Sequence, residues 1–159
     1  MIKQTYCPYC GAPMRPYRVK ITPMMVHALV KFREAVIDHN RNSIHLLKDM
    51  KGRSYELTRH EWNNFTKQRF LGLAVRVKGE SGYWLLTKRG AAFLNGQEEV
   101  PAYVVIFRNK IIERSEWKQS VKDVIGSTPY LEQKGDIQYG EPREIPEAKF
   151  DEAGQGMLI

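Results

Sequence analysis

Cysteine is scarce in this chain: 159 residues hold two, Cys7 and Cys10. Together they supply half of a tetrahedral metal site, and a reducing cytosol disfavours a disulfide between them. No apolar run approaches the roughly 20 residues a membrane span needs. The start, Met1 to Cys7, lacks the apolar stretch of a signal peptide. A cytoplasmic protein without a membrane partner is expected. Catalytic signatures are missing as well: no Walker loop, His-Glu-x-x-His, Gly-x-Ser-x-Gly or Gly-x-Gly-x-x-Gly occurs. Glu98 and Glu99 would point to opposite sides of a strand, and His60 and Glu61 diverge by about 100° on a helix, so neither makes an acid/base couple. The expectation is that the chain is not an enzyme. It also shows no internal repeat.

What is present is uneven charge. Residues 1–97 contain 17 Lys+Arg against 6 Asp+Glu, whereas residues 98–159 contain 8 against 12. A basic front and an acidic rear suggest a polyanion-binding domain followed by something else. With 42% hydrophobic residues the chain can build a core.

Residues 1–21 read as an irregular basic arm with Pro8, Pro13 and Pro16. Thr22 can cap a helix with Pro23 at its first position, and Met25, Leu29, Phe32 and Val36 recur at helical spacing to about Asn40. Ile44 to Met50 reads as a short helix, with a strand as the alternative. Thr58-Arg59-His60-Glu61 is a capping box opening a basic helix to Leu71, with Leu57 and Trp62 spaced as a hydrophobic staple and Gly72 as its left-handed stop. At a 3.6-residue period Trp62, Phe65, Thr66, Arg69 and Phe70 share the apolar side, and Trp62, Phe65 and Phe70 are expected in the core. His60, Asn63, Asn64 and Lys67 fall opposite. A hairpin follows, turning at Gly79–Gly82, and then a helix from Thr87 to Leu94. Pro101–Phe107 and Ile111–Arg114 read as two strands. Ser115 is expected to cap a last helix bearing Trp117, Val121, Val124 and Ile125. Residues 132–156 show no periodicity and read as a flexible tail.

Helix, tight turn and two-stranded wing in this order carry a resemblance. Trp62 to Ala74 followed by Gly82-Tyr83-Trp84-Leu85-Leu86-Thr87-Lys88-Arg89-Gly90 resembles a winged helix-turn-helix domain. The second stretch is similar to the wing-to-helix junction of repressors of the multiple-antibiotic-resistance type. With Cys7-Pro8-Tyr9-Cys10-Gly11 ahead, the whole resembles small proteins of phages and prophages. The resemblance covers residues 22–95 well and 96–126 loosely. It implies an α+β fold: a winged helix-turn-helix core with an added C-terminal β-hairpin and short helix. The implied divisions are a basic arm (1–21), a winged domain (22–97), a hairpin plus helix (98–127) and an acidic tail (128–159).

For function the resemblance implies double-stranded DNA binding by a transcriptional regulator, as a homodimer. Residues 58–71 become the recognition helix and 75–86 the wing. Arg59, His60, Asn63, Asn64 and Lys67 become base-reading candidates, because asparagine pairs bidentately with adenine and arginine or lysine with guanine. Arg76, Lys78, Lys88 and Arg89 become phosphate anchors. Asn63 and Asn64 read equally well as solvated helix surface, and Arg69 as a core-edge salt bridge. Cys7 and Cys10 form a knuckle that can take zinc if His27, His39, His45 or a second chain completes the site. The alternative function is a non-enzymatic inhibitor gripping a host protein or nucleoprotein complex. Its motive is the Val100–Ile112 hairpin, apolar on both faces, whose edge can pair with a partner strand.

Overall fold

The computed structural model describes residues 16–107 and 110–129 with Tyr139 and Gly140, and four short backbone pairs outside them. Strands β1 (Thr5–Tyr6), β2 (Pro13–Met14) and β3 (Tyr17–Lys20) lead into helix α1 (Pro23–His39) and strand β4 (Ile44–His45). Helix α2 (Arg59–Asn64) passes directly into a 3-10 helix (Phe65–Leu71). Strands β5 (Ala74–Arg76) and β6 (Tyr83–Leu86) precede helix α3 (Lys88–Leu94). Then come β7 (Val100–Pro101), β8 (Tyr103–Phe107), β9 (Lys110–Arg114), β10 (Lys118–Gln119), helix α4 (Val121–Ile125), β11 (Lys149–Phe150) and β12 (Gly156–Met157). The architecture is mixed α+β with antiparallel sheets. No helix of the described residues is long and apolar enough to cross a membrane.

Helix α1 organises the core. Thr22 Oγ1 accepts the Met25 N–H at 3.3 Å, satisfying one of the donors a helix start leaves unpaired. The inward stripe Met25, Leu29, Phe32 and Val36 is buried, as the helical spacing requires. Helices α2, α3, α4 and the 3-10 helix pack around α1, together with β4 and β6. Phe65 sits between Phe32 and Trp84, with ring centroids 5.3 and 5.1 Å away, joining α1 to the sheet.

That sheet has the order β4-β6-β5. Asn42 extends it by side chain: its Oδ1 accepts the Leu86 N–H and its amide donates to the Leu86 carbonyl, both at 2.9 Å. A second sheet, β3-β8-β9, lies beside the pair β7-β10. Strand β3 corrects the expectation of an irregular arm over residues 16–21. Only Val19 of its four residues is buried, so the strand has almost no hydrophobic signal and is fixed by pairing with β8.

Three further expectations change. Over Ile44–Met50 the expected short helix is absent: Ile44–His45 form strand β4, as the alternative reading had it, and residues 46–55 form turns. Side chains saturate the backbone there instead: His45 Nδ1 accepts the N–H groups of Leu47 and Lys48, and Glu56 accepts that of Gly52. The last helix begins at Val121, capped by a Ser120–Asp123 box, and not at Ser115. Ser115 Oγ donates to the Trp117 carbonyl, β10 intervenes, and Trp117 is exposed. Strand β8 is paired on both edges, by β3 and β9, which leaves β9 as the outer strand of the hairpin. Finally, part of the acidic rear packs on the body. Gly140 exchanges two backbone hydrogen bonds with Leu86 and Lys88, at 2.9 and 2.8 Å, and Tyr139 lies against the core.

Candidate nucleic-acid interface

The segment 58–72 is built as its local chemistry demands at both ends. Thr58 Oγ1 accepts the Glu61 N–H at 3.2 Å while Glu61 Oε1 accepts the Thr58 N–H at 2.9 Å, the reciprocal capping box. Gly72 stops the segment at φ +73°. A side chain there would also strike the Arg89 guanidinium, whose Nη1 lies 2.4 Å from the Cβ position.

Between those ends the rod changes pitch, and this sets which residues face outward. From Phe65 onward the helix is 3-10, with three residues per turn, so Phe65, Gln68 and Leu71 stack on one line and all are buried. Gln68 is fully buried and its Nε2 donates to the Met25 carbonyl at 2.8 Å. Glu61 also turns inward, with 5% exposure. Burial by itself would raise its pKa, but Lys31 Nζ at 2.6 Å and Thr58 outweigh that and hold it below the ordinary carboxylate range. Trp62 is 48% exposed, which corrects its expected place in the core. The 3.6-residue stripe expected through Trp62, Phe65 and Arg69 does not exist as a single buried face.

The outward flank is open. Arg59, His60 and Asn63 are exposed, and Asn64 and Lys67 are half-buried. The Asn64 amide donates to the His60 carbonyl at 2.8 Å, so one of its donors is used within α2. Asn63, with Trp62 and Thr66, lines a groove of about 690 Å³ whose other wall is the β5–β6 hairpin, including Arg76, Val77 and Gly82. Leu47, 52% exposed, stands at its edge. Arg76 lies over the Trp84 ring at 5.3 Å and remains exposed, as does Lys78.

Charge on this face is largely uncompensated. Residues 44–86, of which Arg69 faces a different cavity, hold eight Lys+Arg and four Asp+Glu, with Glu80 lining the groove itself. Two of the four carboxylates are engaged internally, Glu61 with Lys31 and Asp49 with Arg41 at 2.9 Å. Burial opposes ionisation of Asp49, yet the His45 N–H and Arg41 keep its pKa low. Arg59, Lys67 and Lys78 have no ion-pair partner among the described residues.

The remaining candidate residues lie elsewhere. Arg89 is 3.5 Å from Glu98 and lines a different cavity, shared with Arg69. Lys88 starts α3, where its N–H meets Gly140. Of the candidates, the groove brings together Asn63 of the rod and Arg76 of the wing, while Arg89 lies in the other cavity. Cys7 and Cys10 lie outside the described residues. Among the described residues no three metal-ligating side chains converge. His45 Nδ1 is engaged by backbone donors, and His39 Nε2 is 2.9 Å from the Asp49 carbonyl. Comparison of the chain with protein-family models, curated proteins and solved structures finds no match.

Proposed function

We propose that the chain is a non-enzymatic duplex DNA-binding protein of winged-helix type, acting as a transcriptional regulator. The rod 58–71 lies in the major groove and the 75–86 hairpin rests on the flanking phosphates. One observation carries the reading: an exposed, polar, basic flank centred on Asn63 stands beside a basic two-stranded hairpin, with both elements anchored to α1. The sheet order β4-β6-β5, with the rod between β4 and β5 in sequence, supports a winged arrangement. The turns over 46–55 depart from it, since they occupy the sequence position of the first helix of a helix-turn-helix pair. On this reading Asn63 hydrogen-bonds a base edge and Arg76 and Lys78 neutralise phosphates. A dimer would engage two half-sites about one helical turn, roughly 34 Å, apart.

A second reading has its own support. Trp62 and Leu47 expose apolar surface at the groove mouth, a feature that suits an apolar anchor from a protein partner, such as a host nucleoprotein complex. A gel shift with random duplex at two salt concentrations separates them. DNA binding that weakens steeply with salt supports the first reading, and no binding at about 50 mM salt excludes it in favour of the second.

A further inference from the structure

Away from the rod's outward flank, a cavity of about 340 Å³ opens where the end of the 3-10 helix meets α3 and the β7–β10 strands. Four cations line it, Arg69, Arg89, Arg114 and Lys118, against two carboxylates, Glu98 and Glu99. They come from four separate segments, the 3-10 helix, α3, β9 and β10, so no single amphipathic stripe accounts for their convergence. Like charges gathered in one cleft favour an anion as its ligand. Glu98 engages Arg89 at 3.5 Å.

Arg69 Nε is buried and has no hydrogen-bond partner among the described residues, while its guanidinium lies over the Phe70 ring at 4.7 Å. A buried donor without an acceptor is destabilising, and a shift of the Arg69 side chain into the cavity would let an oxyanion there satisfy it. Part of the wall is apolar, where Phe70 and Pro101 reach the cavity. A bare ion would leave that surface unused.

We propose that this cavity binds a small organic oxyanion, a phosphate ester or a carboxylate, whose charge is held by Arg69, Arg89 and Lys118 and whose apolar body lies on Phe70 and Pro101. Guanidinium groups suit such a ligand because their planar donors pair with two oxygens at once. The site touches Phe70, Leu71 and Gly72, the end of the rod, and is independent of whether the rod binds DNA.

The test is titration of the full chain with phenyl phosphate, phenylacetate and inorganic phosphate, against sodium chloride at equal ionic strength. The readout is the NMR correlation of arginine Nε–H groups. A saturable shift of the Arg69 signal is expected with at least one of the two aromatic anions, and tighter than with inorganic phosphate. The stronger of the two identifies the oxyanion class. Lys118→Gln, at an exposed position, should weaken binding about tenfold, the effect of one charge-assisted hydrogen bond, as should Arg69→Gln. No saturable shift with either aromatic anion, an equal shift with chloride, or unchanged affinity in Lys118→Gln overturns the proposal.

Discussion

Gln68 Nε2 donates to the Met25 carbonyl at 2.8 Å inside the core, where Gln68 has no exposed surface and its Oε1 has no partner among the described residues. This bond ties the rod to the first turn of α1 and sets which of its faces looks out. The lone acceptor makes the site asymmetric towards substitution. Gln68→Met removes both the bond and the unsatisfied oxygen, so a cost below about 1.5 kcal/mol is expected. Gln68→Glu buries a carboxylate without a cation and should cost several kcal/mol at pH 7, with recovery as acid protonates it. Urea unfolding at pH 7 and pH 4 reads both.

Thr87 and Gly90 form the second lock. The Thr87 hydroxyl lies 2.6 Å from the Gly72 carbonyl and 3.0 Å from that of Leu73, and it accepts the Gly90 N–H at 2.9 Å. A Cβ on Gly90 would stand 2.2 Å from the Leu73 carbonyl oxygen, a backbone atom that cannot swing aside. Gly90→Ala is therefore expected to cost more than Thr87→Val, which should lose about 1–3 kcal/mol by leaving a buried N–H unpaired. Thermal unfolding of the two variants checks the order.

Acid should weaken the fold through Glu61. Its folded pKa lies below the unfolded value of about 4.3, so its contribution is full above that value and is lost as pH falls towards the folded pKa. Glu61→Gln should lower stability at pH 7 and flatten the acid limb below about pH 5. Parallel unfolding curves for the two proteins across pH 3 to 7 would contradict the assignment.

The DNA reading makes a sharper claim about three side chains. Asn63→Ala should reduce the preference for a selected site by about 1–3 kcal/mol while leaving random-sequence binding intact. Arg76→Ala and Lys78→Ala should weaken all sequences and reduce the salt slope by about one unit each. Competition gel shifts on selected and random duplexes distinguish the patterns. Equal loss on every sequence from Asn63→Ala removes the base-reading role.

Trp62 tests the groove itself. Being half exposed, Trp62→Ala should change stability by no more than about 1 kcal/mol. If a partner or nucleic acid occupies the groove, Trp62 fluorescence should become shielded from acrylamide on binding. Unchanged quenching in the bound state places the contact elsewhere.

Much of the scaffold was legible in the residues. Thr22-Pro23, the Thr58–Glu61 box, Gly72 and Thr87 each announced a helix end, and each lies where expected. The face of the rod was less legible, because Trp62, Phe65 and Arg69 match a 3.6-residue period while Phe65, Gln68 and Leu71 match a period of three. Only knowledge that the helix tightens selects the second. The spacing of polar Gln68 from Phe65 was the available signal, and hydrophobicity argued against reading it.

Capping and turn formation depend on atoms within four residues of one another, so the order of residues along the chain determined them without help from elsewhere. The pairing of β3 with β8, the outward turn of Trp62 and the meeting of Arg69 with Arg89 and Lys118 depend on contacts between distant segments. Those were decided by tertiary packing. A helix end is satisfied locally, whereas a face or a strand partner is chosen by whatever the rest of the chain leaves uncovered.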